Sequence, residues 1–250
     1  MPVSAAYTPE PRFFELGDEY GDAVRAAEFP QAVLRFRNDR AAGEVGLDPL
    51  SDAEWVDHFG RFTPLPGQPG PIAMRYHGHQ FRGYNPDLGD GRGFLAAQMR
   101  DTSGRLMDLG TKGSGRTPWS RGADGRLTLK GGVREVLAAS MLEAQGVPTS
   151  RAFSLIETGE ALERGDEPSP TRSAVLVRLS HSHVRFGTFQ RAAFHGRRDQ
   201  IETLVEHVRA LYHPSVPAGD AAALLQAIVA ASARLTARWI AAGFVHGVLN

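Results

Sequence analysis

The stretch TKGSGRTPWSRGADGR, from Thr111 to Arg126, sets glycines and arginines behind a single lysine, Lys112, with almost nothing apolar. Glycine lets backbone approach an anion closely, and arginine grips phosphate or carboxylate oxygens two at a time. The composition suits a negatively charged ligand. It is not the common phosphate loop G-x-x-x-x-G-K-[ST], where the lysine follows the glycines and a helix starts at once. Two more glycine turns flank the stretch. LGDGRG (88–93) precedes it and contains Gly89, Gly91 and Arg92; ADGR (123–126) closes it and contains Asp124 and Gly125. Turn N–H groups of this kind make anion nests, although each D-G pair equally suits a hairpin turn with no ligand.

The chain that must position these residues has 250 residues, enough to bury a real core as one large domain or two lobes. It carries 28 basic and 28 acidic side chains, a formal net charge of zero, which argues against a general nucleic-acid binder. Any anion site is therefore a local concentration of positive charge. There is no cysteine, so disulfides, thiolate metal sites and a cysteine nucleophile are excluded. That suits a reducing, cytoplasmic setting. The first residues show no basic run followed by an apolar one, and no membrane span is expected; the alanine-rich segment 221–244 reads as a buried helix.

Residues 1–70 read as irregular, with a helical stretch near 18–29 and a second helix near 51–62 opened by Ser51 with Glu54 three residues on. Two strands, 91–101 and 104–113, joined by TSG form a hairpin. A helix over 131–146 stops at Gly146, with Pro148 beyond. Strands follow at 151–160 and 173–181 around an exposed loop, and the pattern turns helical from Thr188. The expected fold class is α+β: an antiparallel sheet of five or fewer strands carrying one helix, then a helical lobe, with the boundary near residue 186.

Lys112 ends the second strand of the hairpin and Glu135 stands on the helix. On a helical wheel Val133, Val136, Leu137, Met141 and Ala144 form one apolar stripe, with Glu135 opposite among Ala138, Ala139 and Leu142. A helix apolar on both sides is sandwiched, and a carboxylate on its second face then needs a cation, because an unpaired buried charge is very costly. The strand lysine meets that need, as the strand lysine and helix glutamate of protein kinases do when they orient the lysine toward nucleotide phosphates. The spacing alone equally allows a Glu135 facing water and a solvated Lys112.

The blocks GHQF (78–81), LGDGR (88–92), KGSGRTPWSR (112–121), ADGRLTLKGGVRE (123–135), RFGTF (185–189) and HGVLN (246–250) together resemble the selenoprotein O family, also called YdiU. The resemblance runs from about Tyr76 to the last residue. It implies a protein-kinase-like fold, with a kinase-like N-lobe over 76–186, an N-terminal extension over 1–75 packed on it, and the start of a helical C-lobe over 187–250. It implies transfer of AMP from ATP, bound reversed relative to ordinary kinases, to Ser, Thr or Tyr hydroxyls of protein partners, with no nucleic-acid or membrane partner.

By position, the resemblance places Gly89, Gly91 and Arg92 on a nucleotide-contacting turn and Asp124 and Gly125 on a second. It makes Lys112 the phosphate-binding lysine, Glu135 its partner, and Arg178 and Arg185 the arginines that hold the phosphates. Two departures, RGYNPD after GHQF and KGGVRE at 130–135, touch none of these. In the family, HGVLN leads into the aspartate base and the ligands of Mg2+ (or Mn2+), which are expected beyond Asn250. The 250 residues are thus expected to be the nucleotide-binding half of an enzyme, the alternative being an ATP-binding remnant or regulatory pseudoenzyme. His77 and His79 share a strand face without a third metal ligand at a useful spacing, so a structural role is expected, as it is for His181 and His183. Trp119 and Arg121 either line the nucleotide's edge or fold the loop down. His246 takes the place of the kinase catalytic-loop histidine.

Overall fold

The computed structural model describes residues 3–80 and 83–245. In chain order its strands are β1 (Thr8–Pro9), β2 (Gly21–Ala23), β3 (Val33–Arg37), β4 (Ile72–Met74), β5 (Gly78–Gln80), β6 (Gly83–Asn85), β7 (Leu95–Arg100), β8 (Leu106–Lys112), β9 (Leu127–Thr128), β10 (Arg151–Leu162) and β11 (Thr171–Ser180). Its helices are α1 (Asp39–Glu44), α2 (Asp52–Phe59), α3 (Leu129–Ala144), α4 (Phe186–Phe194), α5 (Arg198–Tyr212) and α6 (Ala221–Ala241). Nine strands make one antiparallel sheet in the order β2-β4-β7-β8-β11-β10-β3, with β1 added on β7 and β9 on β11. No described helix is long and apolar enough to cross a membrane.

The β7–β8 hairpin, the β10–β11 pair and α3 stand where the sequence patterns put them. So does the capping box of Ser51 and Glu54 at the start of α2. The sheet is nevertheless larger than five strands, and the expected helix near 18–29 is absent: β2 lies there. Strands of two or three residues such as β1, β2 and β4 are too short to display an alternating pattern. Only their tertiary partners make them strands, as when Gly21 of β2 lies against the Ile72 side chain of β4.

Both faces of the sheet are covered. On one, Trp55 and Phe59 of α2 pack on Phe153, Val175, Val177 and Leu109, with Trp55 stacked on Phe153 at 4.8 Å. On the other, α3 rests on Leu155, Ala174 and Leu176 through Val136 and Ala139. Register sets Leu176 opposite Lys112 and Arg178 opposite Gly110. Residues directly opposite share a face, so Lys112 and Arg178 point to the α3 side.

The helix is not sandwiched as its two apolar sides lead one to expect; one of them faces solvent. Its buried residues are Gly132 and Leu142, whereas Val133, Leu137 and Met141 of the supposed core stripe are exposed, Leu137 at 64%. Small residues decide this. A Cβ at Gly132 would stand 2.5 Å from Leu155 Cδ1, so the glycine and alanine side is the one that approaches β10 closely. The same side carries Glu135, beside Lys112.

Candidate nucleotide site

Lys112 closes β8 and its ammonium pairs with Glu135 Oε1, while Arg178 Nη1 lies 3.9 Å from Glu135 Oε2. One carboxylate thus faces two cations. Burial pushes the Lys112 ammonium below its ordinary pKa; Glu135 opposes that push, and Arg178 and Arg92 add to it. Burial also pulls the Arg178 guanidinium down, again against Glu135. The Nε of Arg178 is buried without a hydrogen-bond partner among the described residues. A buried donor without an acceptor is costly, and an anion entering from the cleft would supply one.

The cleft measures about 940 Å³ and is lined by Gly89–Gly93, Lys112, Trp119–Arg121, Ala123–Arg126, Arg178 and Arg185, among others. It therefore brings together every nucleotide-site residue expected from sequence except Glu135. That residue lines a neighbouring cavity of about 710 Å³ which shares Arg92, Lys112 and Arg178. Arg92 is exposed, and its Nη1 donates to Arg126 O over a long 3.5 Å. Arg185 reaches Asp90 Oδ1 at 3.4 Å and lies over the Tyr76 ring at 4.6 Å.

Both glycine turns pack against the loop that follows Lys112. A Cβ at Gly89 would stand 2.3 Å from Cγ of Trp119, so the indole lies directly on the first turn, and its Nε1 donates to Asp22 Oδ2 at 2.9 Å. Gly125 has φ +72°, and a Cβ there would stand 2.2 Å from Gly115 O. Thr117 Oγ1 and Ser120 Oγ donate to Asp90 O and Gly91 O, each at 2.6 Å. The loop after Lys112 is thus clamped down on the 88–93 turn, and Trp119 both folds the loop and lines the cleft.

Asp124 pairs with Arg164 at 2.8 Å and accepts from Arg126 N–H. Burial alone would raise its pKa; these partners outweigh it and hold the carboxyl below its usual range. Asp90, Asp22, Arg126 and Arg164 are site residues that the sequence reading left out. Asp90 lay inside the LGDGR block, but Asp22 and Arg164 reach the site through tertiary contact and gave no local signal.

Among the described residues no group of three or more His, Asp or Glu is placed to hold a metal ion. His77 is buried, bonds Tyr84 Oη at 2.7 Å, and packs against Phe194 and His195. The HGVLN block, with His246, lies outside the described residues, as does Phe81 of GHQF.

A family model described as Protein adenylyltransferase SelO matches residues 3–250. The chain belongs to the SelO family. It is 54% identical over 250 residues to the Protein nucleotidyltransferase YdiU of Synechocystis sp., covering 97% of this chain and 52% of the relative. The protein of the same name from Gloeobacter violaceus is 57% identical over 245 residues, 96% of this chain and 50% of the relative. That from Aeromonas salmonicida is 42% identical over 207 residues, 83% and 42%. The chain spans about half the length of these curated relatives.

Proposed function

We propose that the chain carries the nucleotide-binding half of a protein adenylyltransferase with a kinase-like fold. In this reading 76–186 is the N-lobe, 187–250 opens the helical C-lobe, and 1–75 is an extension that adds short strands to the same sheet. ATP is the nucleotide. Lys112, Arg92, Arg178 and Arg185 hold its β- and γ-phosphates, Glu135 orients Lys112, and the turns at Gly89–Gly91 and Asp124–Gly125 approach the rest of it. The observation that supports this most is the carboxylate of Glu135 shared by Lys112 and Arg178 at the border of two cation-lined cavities.

The oxygen of a Ser, Thr or Tyr hydroxyl on a protein substrate attacks the α-phosphorus. The bond from α-phosphorus to the bridging oxygen breaks, pyrophosphate leaves with the electron pair, and the hydroxyl proton passes to a base. This chain's residues act at the leaving end, where charge grows: fixed guanidinium and ammonium donors stabilise departing pyrophosphate without reorganising. Mg2+ or Mn2+ belongs to the same reading as a counter-ion of the phosphates, and no group of described residues fits it.

ATP labelled in turn on its α- and γ-phosphorus, incubated with the protein as expressed from its own gene and a mixed protein extract, tests the reading. Entry of α-label into protein without γ-label supports it. Entry of γ-label overturns it in favour of kinase activity. ATP binding with no transfer would leave the chain as the ATP-holding remnant or regulatory pseudoenzyme.

A further inference from the structure

Alternation along β8 sets Asp108, Gly110 and Lys112 on one face of the sheet, with Ser180, Arg178 and Leu176 of β11 opposite them. Asp108 is 1% exposed. Its Oδ1 accepts from Gln98 Nε2 at 2.7 Å; its Oδ2 accepts from the backbone N–H of His183 at 2.7 Å and from His183 Nδ1 at 3.2 Å. A buried carboxylate with donors on both oxygens is satisfied, and what it fixes is His183. The imidazole lies over Gly110, where a Cβ would stand 2.2 Å from Nε2, so only glycine fits beneath it.

With Nδ1 committed to Asp108, Nε2 remains. It has no hydrogen-bond partner among the described residues. The His183 side chain keeps 12% exposure, and it lines a cavity of about 560 Å³ shared with Arg178 and Arg185. Those two arginines also line the Lys112 cleft. His183 therefore stands beside the two arginines at the border of the cleft, with Nε2 unused and a fixed ring.

We propose that His183 is a further ligand of the nucleotide's terminal phosphates, donating Nε2–H alongside Arg178 and Arg185, and that Asp108 is its positioning residue. The inference rests on the placement of the phosphates proposed above. In that arrangement both ring nitrogens donate, Nδ1 to the Asp108 carboxylate and Nε2 to a phosphate oxygen.

Calorimetric titration of the full chain with inorganic pyrophosphate, ATP and AMP tests it, using His183→Phe, His183→Gln, Arg178→Ala and Lys112→Ala. Phenylalanine keeps a ring over Gly110 without a nitrogen, and glutamine offers an amide N–H near the Nε2 position. The expected result is a loss of roughly ten-fold or more in pyrophosphate and ATP affinity for His183→Phe, with AMP affinity unchanged and partial recovery in His183→Gln. A merely structural histidine would shift AMP and pyrophosphate together and show no recovery. Wild-type pyrophosphate affinity in His183→Phe, with loss in Arg178→Ala and Lys112→Ala, overturns the inference alone. Unchanged affinity in all of the variants overturns the phosphate site as well.

Discussion

Two carboxylates on the same fold hold two cations each, and they do so differently. Glu157 on β10 accepts from Arg172 through Nε and Nη2 and from Arg35 through Nε, all at 2.6 Å. The Arg172 bonds pull its carboxyl down to about 2; burial opposes them and the Arg35 bond adds to them. Glu135 on α3 holds Lys112 closely but Arg178 only at 3.9 Å, and Arg178 keeps a buried donor unmatched. The first cluster is saturated and stitches three strands together. The second is short of negative charge. On the function proposed above, that shortage, rather than the presence of an ion pair, is what sets the Glu135 cluster apart from a structural bridge.

The largest effect expected from this contrast is in Lys112→Ala. Removing a charged donor to phosphate costs about 1.5–3 kcal/mol, so ATP affinity is expected to fall roughly 10- to 100-fold by calorimetry. The apo melting temperature is expected to change little, because burial already works against the Lys112 charge. A large fall in melting temperature would place Lys112–Glu135 with the structural bridges and break the contrast.

Glu157→Gln is expected to do the reverse. Both arginines are partly exposed, which discounts the pair. The expected loss is about 2–4 °C at pH 7, the shift that about 1 kcal/mol makes in a domain of this size, with ATP affinity unchanged. The pH dependence sharpens this. A carboxyl held at about 2 instead of 4.5 stabilises the fold fully above about 4.5, and that contribution is lost as pH falls from 4.5 toward 2. Wild type is therefore expected to lose more stability than Glu157→Gln across that window in denaturant titrations.

The smallest effect belongs to Leu137→Glu. An exposed leucine on the outer face of α3 is expected to cost under about 0.5 kcal/mol, leaving melting and ATP binding near wild type. A collapse would mean that the stripe is core after all.

That helix marks the boundary of what sequence periodicity could tell. Lys112, the glycine turns and the 151–162 and 171–180 strands were legible because strand alternation and turn chemistry are local. The face of α3 was not: Val133, Leu137 and Met141 read as core by hydrophobicity, while close approach to Leu155 favours the side bearing Gly132 and Ala139. The spacing allowed the pairing of Lys112 with Glu135 as one of two options; the pair forms, on a helix that is covered on one side only and not sandwiched. Asp22 on Trp119, Arg164 on Asp124 and Asp108 on His183 bridge segments 97, 40 and 75 residues apart. No local pattern encodes such pairs.

The most direct test of the central claim is a crystal structure of the chain with a non-hydrolysable ATP analogue. The expected result is β- and γ-phosphate oxygens within hydrogen-bond distance of Lys112 Nζ and the Arg178 guanidinium, with Glu135 still on Lys112. An analogue bound with its base, not its phosphates, against Lys112 and Arg178, or bound away from the 88–93 and 123–126 turns, would contradict the account.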